Sequence, residues 1–250
     1  MKINNGKRIG RVLYIVEGSK TEFSILKKIF CNILNYSYVE KRRNRLGYFV
    51  SEQDSFSRVA VINTKESNIR FISEDDFYLD SLFVTLLEKY NFPVEQSAIY
   101  YLFDRDPESN TDSNLIKRYI KEFANPYDNE EGFKPGQLLL SYPSIESFVV
   151  SNFKNNSCDI RFELGKDLKK YIAANTDIQL NKINDETLVN AANEFFEYLK
   201  CVKVNFDVDS FSNASAAVFD KQEMDYLNGR GYSLFSMLTL SLLQLGILEI

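Results

Sequence analysis

The sequence contains no histidine and no tryptophan, and only three of its 250 residues are cysteines. Without histidine, the chain cannot build a Ser-His-Asp or Cys-His triad, an HExxH zinc site or a histidine general base. Catalysis would therefore have to use carboxylates, lysine, arginine, tyrosine or a bound metal. Cys31, Cys158 and Cys201 are far apart in sequence and form no CxxC pair, so we expect reduced packing residues instead of disulfides or zinc ligands.

Long apolar runs are also missing. No stretch of about 18 uninterrupted apolar residues occurs, and no apolar segment follows the N-terminal Met-Lys, so we expect a cytoplasmic protein that does not enter a membrane. The formal net charge of −5 argues against a strongly basic nucleic-acid coat but leaves room for a local basic patch. The chain lacks the pattern GxxxxGK[ST], so any ATP dependence must come from another chain.

The stretch that organises the sequence is residues 11–22, RVLYIVEGSKTE, which predicts a buried strand running into a helix. The apolar run of residues 12–16 ends at Glu17, and Ser19 with Glu22 three residues later has the pattern of a capping box. Glu17 is therefore expected at the carboxyl end of a strand. Open α/β sheets bind their ligands at that edge.

A second apolar strand is predicted within residues 97–106, SAIYYLFDRD, and it ends in Asp104 and Asp106. If the two strands are parallel neighbours, three carboxylates meet at one edge and repel each other, which favours a hard divalent cation such as magnesium. Good turn chemistry in DRDP is the alternative explanation of the two aspartates. Arg105 between them is expected to point to the opposite face.

Strand candidates alternate with helical stripes over the first part of the chain, which predicts an α/β fold with a mainly parallel sheet flanked by helices. Residues 36–58 suggest a hairpin with a basic tip. We expect a catalytic domain over residues 1–153 and a mostly helical C-terminal extension over residues 154–250. Its last stretch, residues 234–250, is either a core helix or a partner-facing one, and a core role is favoured.

These ordered motifs resemble the Toprim domain of topoisomerases, primases and overcoming-lysogenization-defect (OLD) nucleases. That domain has a strand ending in VEGxxTE and, about ninety residues later here, a strand ending in DxD. Among Toprim proteins the chain is most similar to the RloB-like group, whose SxPxxE element corresponds to Ser141, Pro143 and Glu146. Phe148 stands where that group often has an aromatic such as tryptophan. The resemblance covers about residues 11–150.

The resemblance implies a Toprim-like nuclease that uses Mg²⁺ or Mn²⁺ to cleave DNA or RNA, with tRNA among the possible substrates. It implies that Glu17, Asp104 and Asp106 are catalytic metal ligands, with Glu22 and Glu146 as further ligands. For Glu22 the alternative is a capping role, and for Glu146 it is a surface loop. The resemblance also implies a prokaryotic anti-phage defence effector that works with a partner ATPase encoded nearby.

Basic residues provide candidate nucleic-acid contacts at two places. Lys41, Arg42, Arg43 and Arg45 lie at the expected hairpin tip, and Lys20 lies in the first turn of the first helix. The alternatives are a solvated turn and a solvent-facing lysine. Two other functions stay open. One is a non-catalytic nucleic-acid-binding or regulatory module, and the other is strand-transfer or polymer chemistry of the topoisomerase and primase type. Topoisomerase chemistry would need a nucleophilic tyrosine, and no tyrosine is marked by its sequence context.

Overall fold

The computed structural model describes residues 1–18, 20–40, 42, 46–64, 69–72, 76–127 and 134–250. The strands of this part of the chain, β1 to β12, are Lys2–Ile3, Arg11–Val16, Tyr36–Val39, Tyr48–Ser51, Arg58–Asn63, Ser97–Asp104, Ala124–Asn125, Gly136–Tyr142, Arg161–Phe162, Tyr232–Ser233, Phe235–Ser236 and Leu248–Glu249. The α-helices, α1 to α8, are Thr21–Lys27, Asp76–Tyr90, Ser113–Glu122, Glu146–Ser151, Gly165–Ala174, Asp185–Cys201, Ser212–Leu227 and Leu238–Gln244. Helix α1 continues as one π-helical segment, Lys28–Ile33.

One mixed sheet forms the centre of the molecule, with the strand order β11-β8-β6-β2-β5-β4-β3 and with β7 paired to β8. Strands β5, β2, β6 and β8 are parallel. Strands β4, β7 and β11 run antiparallel to their neighbours, and β3 runs antiparallel to β4. The predicted α/β class is confirmed, and the parallel arrangement holds for the core of the sheet but not for its flanks.

Helices cover both faces of the parallel core. Tyr14 on β2 packs against Phe30 at 6.4 Å between ring centroids, and Tyr101 on β6 packs at 4.6 Å against Phe123, which follows α3. Tyr14 is in register with Tyr100, so these two contacts lie on opposite faces. Burial on both sides explains why residues 12–16 form an uninterrupted apolar run.

The predicted hairpin is confirmed by the antiparallel pairing of β3 with β4, in which Tyr36 lies opposite Ser51. Arg42, between the two strands, is exposed. The other members of the predicted basic cluster, Lys41, Arg43 and Arg45, lie outside the described residues.

Residues 154–250 contain α5 to α8 and four short strands. Strand β11 extends the central sheet beside β8, and β12 pairs with β1 near the start of the chain. Residues 238–243 of α8 are all buried, which confirms a core role, although the single helix expected over residues 234–250 is replaced by β11, α8 and β12. The boundary at residue 153 stays a prediction. No helix among the described residues is long and apolar enough to cross a membrane, and all three cysteines are free thiols.

Candidate active site

The carboxyl ends of three parallel neighbours, β2, β6 and β8, place acidic residues at one edge of the sheet. Glu17 follows β2 directly, Asp104 is the last residue of β6, and Glu146 opens α4 a few residues after β8. The backbone N–H of Asp104 donates a hydrogen bond to Glu17 Oε2 at 2.9 Å. The structure therefore brings Glu17 and Asp104 together as the sequence predicted.

Glu17 is a buried carboxyl group, with 8% of its surface exposed. Burial raises its pKa to about 7, and the neighbouring charges of Glu22 and Asp106 act in the same direction. The hydrogen bonds from the Asp104 N–H and from Asn110 Nδ2 oppose this shift without cancelling it. Near neutral pH, Glu17 can therefore both hold and release a proton.

Asp104 keeps some accessible surface, yet protein atoms surround its carboxyl group. This desolvation raises its pKa well above the usual range, and the charges of Glu17, Glu146 and Glu22 raise it further. Its Oδ1 accepts a hydrogen bond of 2.7 Å from the backbone N–H of Ile145. Asp104 thus links the end of β6 to the segment after β8, and its surroundings disfavour negative charge.

Glu22 lies beside this pair and is also buried. Its Oε1 accepts a hydrogen bond of 2.9 Å from the backbone N–H of Gly18. The expected capping box is not formed as predicted, because the helix begins at Thr21 with Lys20 as its N-cap, and Ser19 lies outside the described residues. A Cβ atom at Gly18 would lie 2.6 Å from Glu22 Oε2, so the glycine of the EG pair permits this close approach.

Asp106 makes the turn contact that was the alternative explanation for it, and it also contacts the start of α5. Its Oδ1 accepts a hydrogen bond of 3.0 Å from the N–H of Glu108, which is the turn chemistry of the DRDP segment. Its Oδ2 accepts one of 2.9 Å from the N–H of Gly165, the first residue of α5. A Cβ atom at Gly165 would lie 2.8 Å from that oxygen, so α5 approaches the site closely only because a glycine starts it.

Glu146 is the fifth acidic position, and it is buried in the first turn of α4. The alternative of a surface loop is wrong, because the SYPSIE segment turns directly from β8 into this helix. Ser144 Oγ donates a hydrogen bond of 2.8 Å to Glu146 Oε2. Lys169 Nζ lies 3.7 Å from Glu146 Oε1.

Lys169 on α5 is a site residue that the sequence did not reveal. Burial alone would lower its pKa, but the charges of Glu146, Asp104 and Glu22 outweigh burial and raise it. The ammonium group therefore offsets part of the negative charge of the cluster. No motif marked α5, since only the folding of the C-terminal region onto the sheet edge brings Lys169 there.

Asn110 is a second residue that the sequence did not reveal. It is 2% exposed, and its Nδ2 donates to the carbonyl oxygen of Asp104 at 2.7 Å and to Glu17 Oε2 at 3.4 Å. Its Oδ1 accepts from the N–H of Ile69 at 2.8 Å. Asn110 holds the ends of β2 and β6 in a fixed relation, although in sequence it is only one more polar loop residue.

Arg105 points away from the carboxylates, as strand alternation predicted. Its Nε and Nη2 donate to the carboxylate of Glu223 on α7 at 2.8 and 2.6 Å, and its Nη1 donates to the carbonyl oxygen of Asn110 at 2.9 Å. This buried ion pair fastens the loop after β6 to the C-terminal region.

Two of the predicted nucleic-acid residues, Lys20 and Arg42, lie within the described residues. Lys20 is exposed at the N-cap of α1, and Arg42 is exposed on the hairpin. For these two residues the phosphate contact stays a prediction.

The donor set suits a hard divalent cation in its chemistry. In the described part of the chain, Glu17 Oε1 and Asp104 Oδ2 accept no hydrogen bond, so each carboxylate keeps one oxygen for a ligand. Carboxylate oxygens are the ligands that Mg²⁺ prefers, and a cation would relieve the repulsion that raises the two pKa values. However, no group of three or more His, Cys, Asp or Glu side chains within the described ranges is arranged to hold a metal ion.

Comparison with protein-family models, curated proteins and solved structures gives no match.

Proposed function

We propose that the chain is a divalent-metal-dependent nuclease with a Toprim-type catalytic domain, which cleaves phosphodiester bonds in DNA or RNA. The observation that carries this proposal is the pair of desolvated carboxyl groups of Glu17 and Asp104, whose charged forms are disfavoured. Within the described residues, each keeps an oxygen without a hydrogen bond at the ligand-binding edge of a parallel sheet. Strongly shifted carboxyl groups at such an edge are typical of functional sites.

Glu17 and Asp104 are the residues proposed to hold Mg²⁺ or Mn²⁺, with Glu22, Asp106 and Glu146 around them. When bound, such an ion supplies Lewis-acid polarisation of a phosphoryl oxygen and a lowered pKa of a bound water. This chemistry needs no histidine, in agreement with the composition.

The chain's own residues have distinct roles in this proposal. In the metal-free chain the pKa of Glu17 is about 7, so its proton is readily released at neutral pH when a cation binds. Asn110 fixes the orientation of the Glu17 carboxylate, and Asp106 fastens α5 beside the site. Lys169 limits the repulsion among the acidic residues when no other cation is present.

The resemblance to RloB-like proteins supports a wider role for the chain. On that ground we propose an effector of prokaryotic anti-phage defence that acts in the cytoplasm with a partner ATPase. tRNA is one candidate substrate among DNA and other RNA. The proposed contacts to the nucleic-acid backbone are Lys20, Arg42, Arg43 and Arg45.

One observation favours a second candidate function, a non-catalytic nucleic-acid-binding or regulatory module. Each carboxylate of the cluster accepts a hydrogen bond from within the chain, and in the described residues no three of them converge on one point. A cluster of this kind could hold the sheet edge together without cutting a strand.

Cleavage assays distinguish the two functions. The purified chain is incubated with DNA, RNA and tRNA panels in Mg²⁺, Mn²⁺ or EDTA, beside the variants Asp104→Asn and Glu17→Gln. Each variant should lose about a hundredfold or more in rate while its circular dichroism spectrum stays unchanged.

Glu194→Gln is the matched control, because Glu194 is a buried glutamate on α6 that accepts backbone hydrogen bonds away from this edge. It should cut like wild type. Near wild-type cleavage by Asp104→Asn would remove that residue from the mechanism. A wild type that cuts none of the panels would favour the regulatory module.

A further inference from the structure

Helix α5 carries three exposed lysines on one face. Lys166, Lys169 and Lys170 are spaced at i, i+3 and i+4, and their side chains are 54%, 56% and 75% exposed. Leu168 points the other way and is fully buried, so the helix is anchored in the core. These three residues, named here the α5 lysine face, form a fixed row of ammonium groups at the surface.

The α5 lysine face borders the acidic edge through direct contacts. The helix begins at Gly165, whose N–H donates to Asp106. Lys166 pairs with Glu108 in the loop after β6, and Lys169 pairs with Glu146. The row of positive charge therefore starts at the carboxylates and leads away from them.

Electrostatic repulsion opposes the binding of a nucleic-acid strand at this edge, because the carboxylates and the phosphates are both negative and the chain has a net charge of −5. Local cations beside the carboxylates remove it, since binding to phosphates depends on the patch and not on the total charge. Lysine ammonium groups bind phosphates as mobile point charges.

We propose that the α5 lysine face binds the phosphate backbone of the strand that is cleaved at the carboxylate edge. This inference rests on the proposed nuclease function, and it places the bound substrate strand against α5 of the C-terminal region. The pair of Lys166 with Glu108 is more than half exposed on both sides, and such pairs contribute little to stability. Lys166 can therefore exchange Glu108 for a phosphate at small cost. The ion pair of Lys170 within the described part of the chain is with Asp167 on its own helix.

Salt-dependent binding tests this path. The double variant Lys166→Gln/Lys170→Gln leaves Lys169 in place and is compared with wild type on labelled single-stranded and duplex oligonucleotides. EDTA keeps the substrate intact. The matched control is Lys2→Gln/Lys121→Gln: Lys2 pairs with Glu249, and Lys121 is an exposed lysine near the end of α3, next to the strand that pairs with the start of β8.

Loss of two phosphate contacts should reduce the slope of log affinity against log salt by about 1.4 for single strands and about 1.8 for duplexes. Raising the salt from about 50 to about 200 mM should therefore weaken wild-type binding more than variant binding. The extra factor is roughly 7 for single strands and roughly 12 for duplexes. The control should keep the wild-type slope, and Lys166→Arg/Lys170→Arg should restore it.

The failure of this inference is distinguishable from the failure of the proposed function. If wild type binds and cuts but the α5 variant keeps its slope, the α5 lysine face is not on the substrate path. If wild type binds with the α5-dependent slope but cuts nothing in Mg²⁺, the lysine face is supported and the nuclease proposal fails. A wild type that binds no nucleic acid at any salt concentration overturns both.

Discussion

Replacement of Glu17 by glutamine should change how the stability of the folded chain depends on pH. The folded pKa of Glu17 is about 7, against an ordinary value of 4.5. A raised folded pKa means that the folded state holds the proton more tightly than the unfolded state. The associated stability is fully present below pH 4.5 and is lost as the pH rises through about 7.

The size of this loss follows from the shift. One pKa unit corresponds to about 1.4 kcal/mol, so the raised pKa of Glu17 costs about 3 kcal/mol of unfolding free energy at neutral pH. That is a large share of a typical total of about 5–15 kcal/mol. Glu17→Gln removes this cost and also removes the largest neighbouring charge that acts on Asp104.

The assay is urea unfolding in EDTA at about pH 4.5 and pH 7.5. Between these conditions wild type should lose about 3 kcal/mol more stability than Glu17→Gln. At pH 7.5, magnesium at about 100 times its dissociation constant should return about 2.7 kcal/mol to wild type and little to the variant. Glu194→Gln should respond to magnesium as wild type does.

Two results would refute this reasoning. Equal pH dependence in wild type and Glu17→Gln would mean that Glu17 is not a destabilised acid. An equal response to magnesium in both proteins would mean that the ion binds somewhere else, and the carboxylate edge would then be a structural feature.

Two further predictions concern residues of the C-terminal region and their contacts. Lys169→Gln should lower the melting temperature in EDTA more than Lys166→Gln does. The reason is that Lys169 offsets the charge of several site carboxylates, whereas Lys166 pairs with exposed Glu108. Magnesium should reduce the difference in melting temperature between the two variants. Arg105→Met should cost about 3 kcal/mol or more in urea unfolding, because it leaves Glu223 without its buried cation. Adding Glu223→Gln should recover part of that loss, and a simply additive loss would show that the two side chains act independently.

The parallel core was predictable because its strands are buried on both faces and appear as apolar runs in the sequence. Two of those runs end in Glu17 and Asp104, and the edge of a parallel sheet then brings the two residues together. The two-residue strands β7 and β9 to β12 were not predictable. They are too short to show any alternation, and only their pairing partners define them.

The contacts made by the rest of the site could not be predicted in the same way. Gly165 and Lys169 lie about sixty residues beyond Asp104 in the sequence, and they reach the site because α5 packs beside it. Glu22 was identified, but its partner was not, since the helix begins one residue later than the capping pattern suggests. Local patterns specify elements, whereas long-range contacts of this kind depend on how the elements pack.

The carboxylates of the edge differ in their energetics from a carboxylate that closes a turn. A carboxylate that closes a turn stays charged, as Asp54 does: it is half-buried between β4 and β5, and the hydrogen bond that it accepts from Ser57 Oγ lowers its pKa. For Glu17 and Asp104, by contrast, burial and mutual repulsion disfavour the charged forms. The hydrogen bond from Asn110 to Glu17 and the positive charge of Lys169 offset part of this effect. A fold that gained nothing from this charge would be more stable with glutamine and asparagine at the two positions. The proposed cation site would offset this cost, because a bound cation stabilises the charged forms of both side chains.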